Sequence, residues 1–340
     1  MLEIVDLFCG AGGMSLGLRL SGMTPRLGVD RSPHCVATFA RNFPQAQAVK
    51  ADVAALTPRD VLRHVESKTR LVLAGCPPCQ LFSQLHRSRG PLGPEIRSYL
   101  RLVEGISPRC LVFENVPLIR SYPDAWGALL ETLDRLRYHV RHRVVCASDF
   151  GVPQHRKRLI LIAARTPIEI PGPPYGPART VRDAIGGMPE SDPSIANHET
   201  MKLAPQNLAR LKVTPRDGGT SKRPGASFDD SYARMYWDRP APTITTRCVS
   251  FSNGRFGHPE FNRAITVREA ATLQGFPSDF VFEGGVWESA SQVGNAVPPP
   301  VARAVGEQIM ASFAGGHSDK RRGAHLIHTP NEAIRSSVKV

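Results

Sequence analysis

No uninterrupted apolar run of 18 residues occurs in the 340-residue sequence, so no segment has the length and character of a membrane-crossing helix. The opening MLEIVDLFCG passes straight from a strand-like run into a glycine turn. It carries neither the charged region nor the small-residue cleavage site of a secretory leader, and a cytoplasmic protein is expected. There are seven cysteines, an odd and scattered set, which argues for free thiols over a disulfide framework. No second C-x-x-C exists to complete a zinc site, and no metal is expected. Internal repeats are missing. So is a strict G-x-G-x-x-G, which weakens a dinucleotide-binding reading.

Apolar residues make up 41% of the chain and the formal net charge is +13. The first is ample for a core, and the length suits one large domain plus a small one. The second fits a polyanionic partner, with nucleic acid foremost; a generally basic, arginine-rich proteome is the alternative. The tail 316–340 holds five Lys/Arg against two Asp/Glu, so it does not explain the charge.

Residues 3–165 alternate short apolar runs with helical patterns. Strands are expected over 4–8, 26–29, 46–49, 71–74, 110–113, 139–145 and 159–164, and helices over 13–21, 33–42 and 126–137. This rhythm predicts an α/β fold with a parallel-core sheet covered by helices on both faces. Ligands of such sheets sit outside the carboxyl ends of the strands. Residues 166–225 are rich in Pro, Gly, Ser and Thr and read as a loop-rich, separately folded insert. Short strand-like runs follow over 226–265, then helices over 266–273 and 300–313. The polar tail from 315 to 340 is expected to be disordered.

DLFCGAGGMSLGL at 6–18 reads as a strand, a glycine turn and a helix start. Gly10, Gly12 and Gly13 let the backbone approach a ligand closely. Asp30 ends the next strand and is placed to bond ribose hydroxyls; Asp52 ends the third and is placed to accept from an adenine amino group. A structural turn and two simple helix caps are the alternatives. LVLAGCPPCQLFS at 71–83 puts Cys79 just past a buried strand, in a proline-stiffened loop. Three readings compete: Cys76 and Cys79 as a redox pair, half of a zinc site, or Cys79 as a nucleophile. Spacing does not choose among them.

The pairing of DLFCGAGG with GCPPCQLFS resembles the DNA cytosine-5 methyltransferases of bacterial restriction–modification systems. The family's other motifs follow in order: FENV at 113–116, QHRKR at 154–158, RPAPTITT at 239–246, TVRE with LQGFP within 266–277, and QVGNAVPP at 292–299. The resemblance spans roughly residues 3–312. Asp30 stands where the family more often has Glu, and Cys76 replaces a common Gly. The segment after the nucleophile, with RSRGPLGPE at 87–95, is short and only loosely matches the family's loop.

The resemblance implies a Rossmann-like, S-adenosylmethionine-dependent methyltransferase sheet with a second, smaller, loop-rich target-recognition domain. The catalytic domain would be 1–179 completed by 271–314, and the recognition domain 180–270. It implies transfer of a methyl group to C5 of a cytosine flipped out of duplex DNA. C5 is a poor nucleophile, so a thiolate adds at C6 and turns the ring into an enamine; the resemblance gives Cys79 that role. Glu114 would protonate or hydrogen-bond N3, and its position past an apolar strand suits a raised pKa. Arg156 and Arg158 alternate at a strand start, share one face, and would hold O2, the Glu114 carboxylate or a phosphate.

For the cofactor, which leaves as S-adenosylhomocysteine, the resemblance marks Phe8, Gly10, Ala11, Gly12, Gly13, Asp30, Asp52, Val53, Pro78 and Asn295. Toward DNA it marks the loop residues Gln80, Ser83, Gln84, Arg87 and Arg89. Arg234 is the leading base reader, since Arg is suited to bidentate contact with guanine; Arg247 and Arg255 would read bases or hold phosphates. A nucleoid-associated monomer is expected, with a cognate endonuclease encoded nearby. The rival within the family is an RNA cytosine-5 methyltransferase; from other classes, a non-catalytic DNA-binding module or a C-x-x-C redox protein.

Overall fold

The computed structural model describes residues 1–78, 93–172, 178–221 and 231–314. The expected tail and the segment 79–92, with Cys79, Gln80, Ser83, Gln84, Arg87 and Arg89, lie outside the described residues. No described helix is long and apolar enough to cross a membrane.

Strand β1 (Glu3–Leu7) is wholly buried and feeds helix α1 (Gly13–Leu20) through the glycine turn. Strand β2 (Thr24–Asp30), helix α2 (Pro33–Asn42) and strand β3 (Gln47–Lys50) follow. Ser32 starts α2 by accepting from the Cys35 N–H, with Pro33 in the first turn, where the missing donor costs nothing. A short helix α3 (Pro58–Leu62) leads to β4 (Leu71–Gly75), then α4 (Pro94–Ile106), β5 (Cys110–Asn115), α5 (Pro123–Arg135), β6 (His139–Cys146) and β7 (Lys157–Ala164).

These strands form one sheet in the order β3-β2-β1-β4-β5-β7-β6. The first five are mutually parallel, and β7 runs antiparallel to both neighbours. All seven expected strands are present, with ends shifted by one or two residues. Chain order reverses between β1 and β4, where Leu7 stands opposite Gly75. That reversal opens a crevice at the carboxyl ends of the strands.

Beyond the sheet, α6 (Val181–Ile185) and α7 (Pro205–Val213) are followed by irregular chain, then α8 (Val267–Leu273), α9 (Val286–Asn295) and α10 (Pro299–Ala314). The strand-like runs expected over 226–265 are, among the described residues, isolated bridges such as Arg234 with Gly257. Side chains from 181 to 244 also pack on the first part of the chain. Val181, Met235, Ala241 and Ile244 share a buried cluster with Ala11, Leu16, Phe39 and Phe43 around the glycine turn.

With so few ladders, backbone carbonyls in this half of the molecule need other donors. Three of the largest fully buried side chains are arginines, Arg156, Arg234 and Arg268, and each donates to carbonyls from distant segments. The two halves also meet backbone to backbone. A Cβ on Gly294 of α9 would lie 2.3 Å from Thr245 C and 2.4 Å from Thr246 N. At the other end, α10 closes on α1, where a Cβ on Gly17 would lie 2.4 Å from Pro299 O.

Candidate active site

A cavity of about 560 Å³ opens at the crevice between β1 and β4, within the usual size of small-molecule sites. Phe8, Gly10, Gly13, Asp30, Asp52, Val53, Pro78, Glu114, Arg156, Arg158 and Asn295 all line it. Residues separated by 287 positions in sequence thus converge on one pocket.

Its floor is the turn after β1. Phe8 has φ 59°, a left-handed conformation that a bulky residue adopts only when its surroundings impose it. Gly10 has φ 53°, with nothing within 4 Å of a Cβ placed on it, so bare backbone faces the cavity. Gly13 opens α1 and is pressed from behind, a Cβ there falling 2.3 Å from Val297 O. Ala11 and Gly12 do not line the cavity. Ala11 is buried in the shared core, and Gly12 caps α1 at φ 91° against Phe43 and Phe39. They shape the turn from beneath.

Asp30 closes β2. One of its carboxylate oxygens accepts from Gly10 N at 3.0 Å and the other from Ser32 N at 2.8 Å. Each oxygen retains a further lone pair for a ligand hydroxyl. Asp52 lies two residues past β3, not at its end. Its Oδ1 caps the Val53–Ala55 turn through Ala54 N at 2.8 Å, which leaves Oδ2 to accept from a ligand. Beneath the turn, Asp6 is fully buried and accepts from the Ser15 hydroxyl at 2.7 Å. Burial pushes its carboxyl up to about 7. The sequence reading passed over Asp6, and the signal for it was a charged residue in the middle of the apolar run IVDLF.

On the other side of the crevice, Glu114 is the penultimate residue of β5 and is 7% exposed. Arg158 Nε lies 3.1 Å from its Oε1. Burial raises the Glu114 carboxyl, and Arg158 and then Arg156 pull it partly back. Asn115 Nδ2 donates to Pro77 O at 3.1 Å, tying the end of β5 to the chain that leaves β4. Cys76 also faces the cavity. Burial holds its thiol well above the ordinary range, the reverse of what the leading cysteine of a C-x-x-C redox centre needs.

Arg156 and Arg158 have different surroundings. Arg156 is 2% exposed and gives its terminal nitrogens to Ile244 O, Gly294 O and Ala296 O at 2.9–3.2 Å. It positions the pocket wall, while Arg158 meets the carboxylate.

Arg234, expected to read a base, is 1% exposed. It donates to Thr214 O, Leu211 O, His258 O, Phe261 O and Asn262 Oδ1 at 2.6–3.2 Å. Arg255 likewise donates to Gly218 O and Arg234 O. Arg247 is exposed, with its guanidinium 5.7 Å from the Trp287 ring centroid. Replacing Arg234 with methionine is therefore expected to cost about 3–5 kcal/mol by leaving several buried carbonyls without donors. A urea melt measures the loss, and surviving enzyme should modify the same DNA sequence as before. Native stability with relaxed sequence preference would restore Arg234 to the reading face.

The sequence reading also missed His34, Cys35 and the α9 residues Trp287, Ser291 and Gln292, which line the same cavity. Helical spacing back from Asn295 carried the signal for Trp287 and Ser291.

Comparison with known proteins agrees with this geometry. Residues 2–311 match the family model described as C-5 cytosine-specific DNA methylase. The chain is 36% identical to the Type II methylase M.HgiDII of Herpetosiphon aurantiacus, over 94% of this chain and 98% of that protein. It is also 36% identical to the Type II methyltransferase M1.HphI of Haemophilus parahaemolyticus, over 91% and 87%. A crystal structure of a prophage-encoded DNA modification methyltransferase from E. coli superposes with a TM-score of 0.72 at 25% identity, covering 92% of this chain and all of that one.

Proposed function

The chain belongs to the C-5 cytosine-specific DNA methylase family and is a DNA (cytosine-5) methyltransferase; on that premise we propose how its residues share the work. The observation that carries the reading is the single cavity that joins the Gly10–Asp30 turn to the Glu114–Arg158 pair. One half suits a nucleoside with a charged tail, the other a pyrimidine edge.

The first half fits S-adenosylmethionine. Asp30 has both oxygens held by backbone N–H groups and turned to a diol. Asp52 offers an acceptor to an amino group, Phe8 an aromatic face, and Val53 apolar contact. The helix start at Gly13 suits a carboxylate, and Pro78 and Asn295 close the pocket. When bound, the cofactor supplies an electrophilic methyl group and departs as S-adenosylhomocysteine.

In the second half, Cys79 forms a bond from sulfur to C6 of the extruded cytosine. Electron density moves to N3 and O2, and C5 becomes the nucleophile that takes the methyl. Glu114, whose carboxyl is raised by burial, donates to N3. Arg158 holds Glu114 and the O2 side. Loss of the C5 proton to water and β-elimination then free the thiolate. Residues 180–270 form the target-recognition part, with Arg247 among its outward cations, and Gln80, Ser83, Gln84, Arg87 and Arg89 approach the duplex. The enzyme works as a cytoplasmic, nucleoid-associated monomer on duplex DNA, with a cognate endonuclease encoded nearby.

The test is incubation of the purified chain with a labelled methyl donor and either duplex DNA or tRNA, followed by bisulfite sequencing of DNA from an expressing host. Label in duplex DNA at one recurrent sequence is expected. Label in tRNA alone would move the chain to the RNA-modifying reading.

A further inference from the structure

Trp287 is 41% exposed, an unusual state for the largest side chain. It sits in the first turn of α9 and lines the same cavity as Phe8 and Asp30. Trp287, Ser291 and Asn295 are spaced four apart, so they share one helix face, and that face borders the cavity along its length. Eight residues of helix span about 12 Å.

The direction of α9 over the pocket is fixed at both ends. Past its C-terminus, Val297 O and Ala296 pack against Gly13, at 2.3 and 3.4 Å from a Cβ placed there. Ahead of its N-terminus, a Cβ on Gly284 would meet His34 Nδ1 at 2.9 Å and Glu288 Cβ at 3.1 Å. His34 belongs to the first turn of α2, just beyond Asp30. Asn295 therefore stands over the glycine turn, and Trp287 over the Asp30 end. Across the indole lies the Arg247 guanidinium, which comes from the recognition region and not from the sheet.

We propose that Trp287 covers the adenosine end of the bound cofactor, and that Arg247 holds the indole in that position, making the recognition region part of the cofactor site. The inference rests on the S-adenosyl cofactor reading. An aromatic face half in water is what a purine edge or ribose would complete, and Arg247 restrains the ring without filling the cavity.

Calorimetric titration with S-adenosylhomocysteine and, separately, methylthioadenosine tests it without turnover. Trp287→Ala is expected to weaken both about tenfold, as loss of one aromatic stacking contact does. Trp287→Phe should cost less than about threefold, and Arg247→Ala about threefold. Equal weakening of both ligands places the contact at the adenosine end, since methylthioadenosine lacks the amino-acid tail. In a Trp126→Phe/Trp237→Phe background, Trp287 emission should change as ligand saturates. Wild-type affinity in Trp287→Ala, or unchanged emission at saturation, would overturn the proposal. Failure of the wild type to bind either ligand would instead sink the cofactor reading beneath it.

Discussion

Replacing Cys79 with serine is expected to abolish methyl incorporation, by about 10⁴-fold or more, while duplex binding survives. Loss of a covalent nucleophile typically costs rates of that order because every later step depends on the adduct. Cys79 itself lies outside the described residues, so the support comes from its neighbours. Asn115 Nδ2 fixes Pro77 O beside the strand that carries Glu114. Pro78, the last described residue before position 79, lines the same cavity as Glu114.

Cys76 supplies the control. Its thiol is raised by burial and held neutral, so Cys76→Ser should retain most activity. Duplex DNA carrying 5-fluorocytosine at the target should trap the wild type covalently and leave Cys79→Ser free. A Cys76→Ser variant as inactive as Cys79→Ser would point to a dithiol mechanism in place of addition by one sulfur.

The second large effect is at Glu114. Glu114→Gln is expected to lower kcat about 10²–10⁴-fold, the usual worth of a placed proton donor, and to reshape the pH profile. Burial raises the Glu114 carboxyl above its ordinary range. The required protonated form is therefore full at acid pH and is lost as pH rises through the raised value, which gives the wild type a falling alkaline limb. Thiolate formation supplies the rising acid limb. Glutamine has no proton to lose, so the alkaline limb should vanish while the acid limb stays. A variant that keeps both its rate and the alkaline limb would remove Glu114 from the chemistry.

Most of the sheet was legible from sequence because its strands are buried, and buried strands read as plain apolar runs. VLAG and LVFEN needed no context to be placed. The cofactor turn was legible for a related reason: a glycine cluster directly after a strand has few other uses. What sequence could not separate were the roles of the arginines. Arg156, Arg158 and Arg234 look alike as letters, yet two spend their donors on carbonyls and one meets a carboxylate. The deciding fact is which distant carbonyls lack a ladder partner, and that is set only when the irregular chain of residues 178–265 has folded. Part of the basic charge read as a DNA-facing feature is for the same reason internal mortar.

The seam between Gly294 and the Thr245–Thr246 peptide is made of main chain alone. Main chain is common to every amino acid, so this one contact makes no demand on which side chains stand at positions 245 and 246. An exposed residue such as Asn253 can change without disturbing this contact, whereas Arg247 meets Trp287 of α9 and is tied to it. What the contact does not tolerate is a methyl at position 294, which would drive the recognition segment off the helix that borders the cofactor cavity.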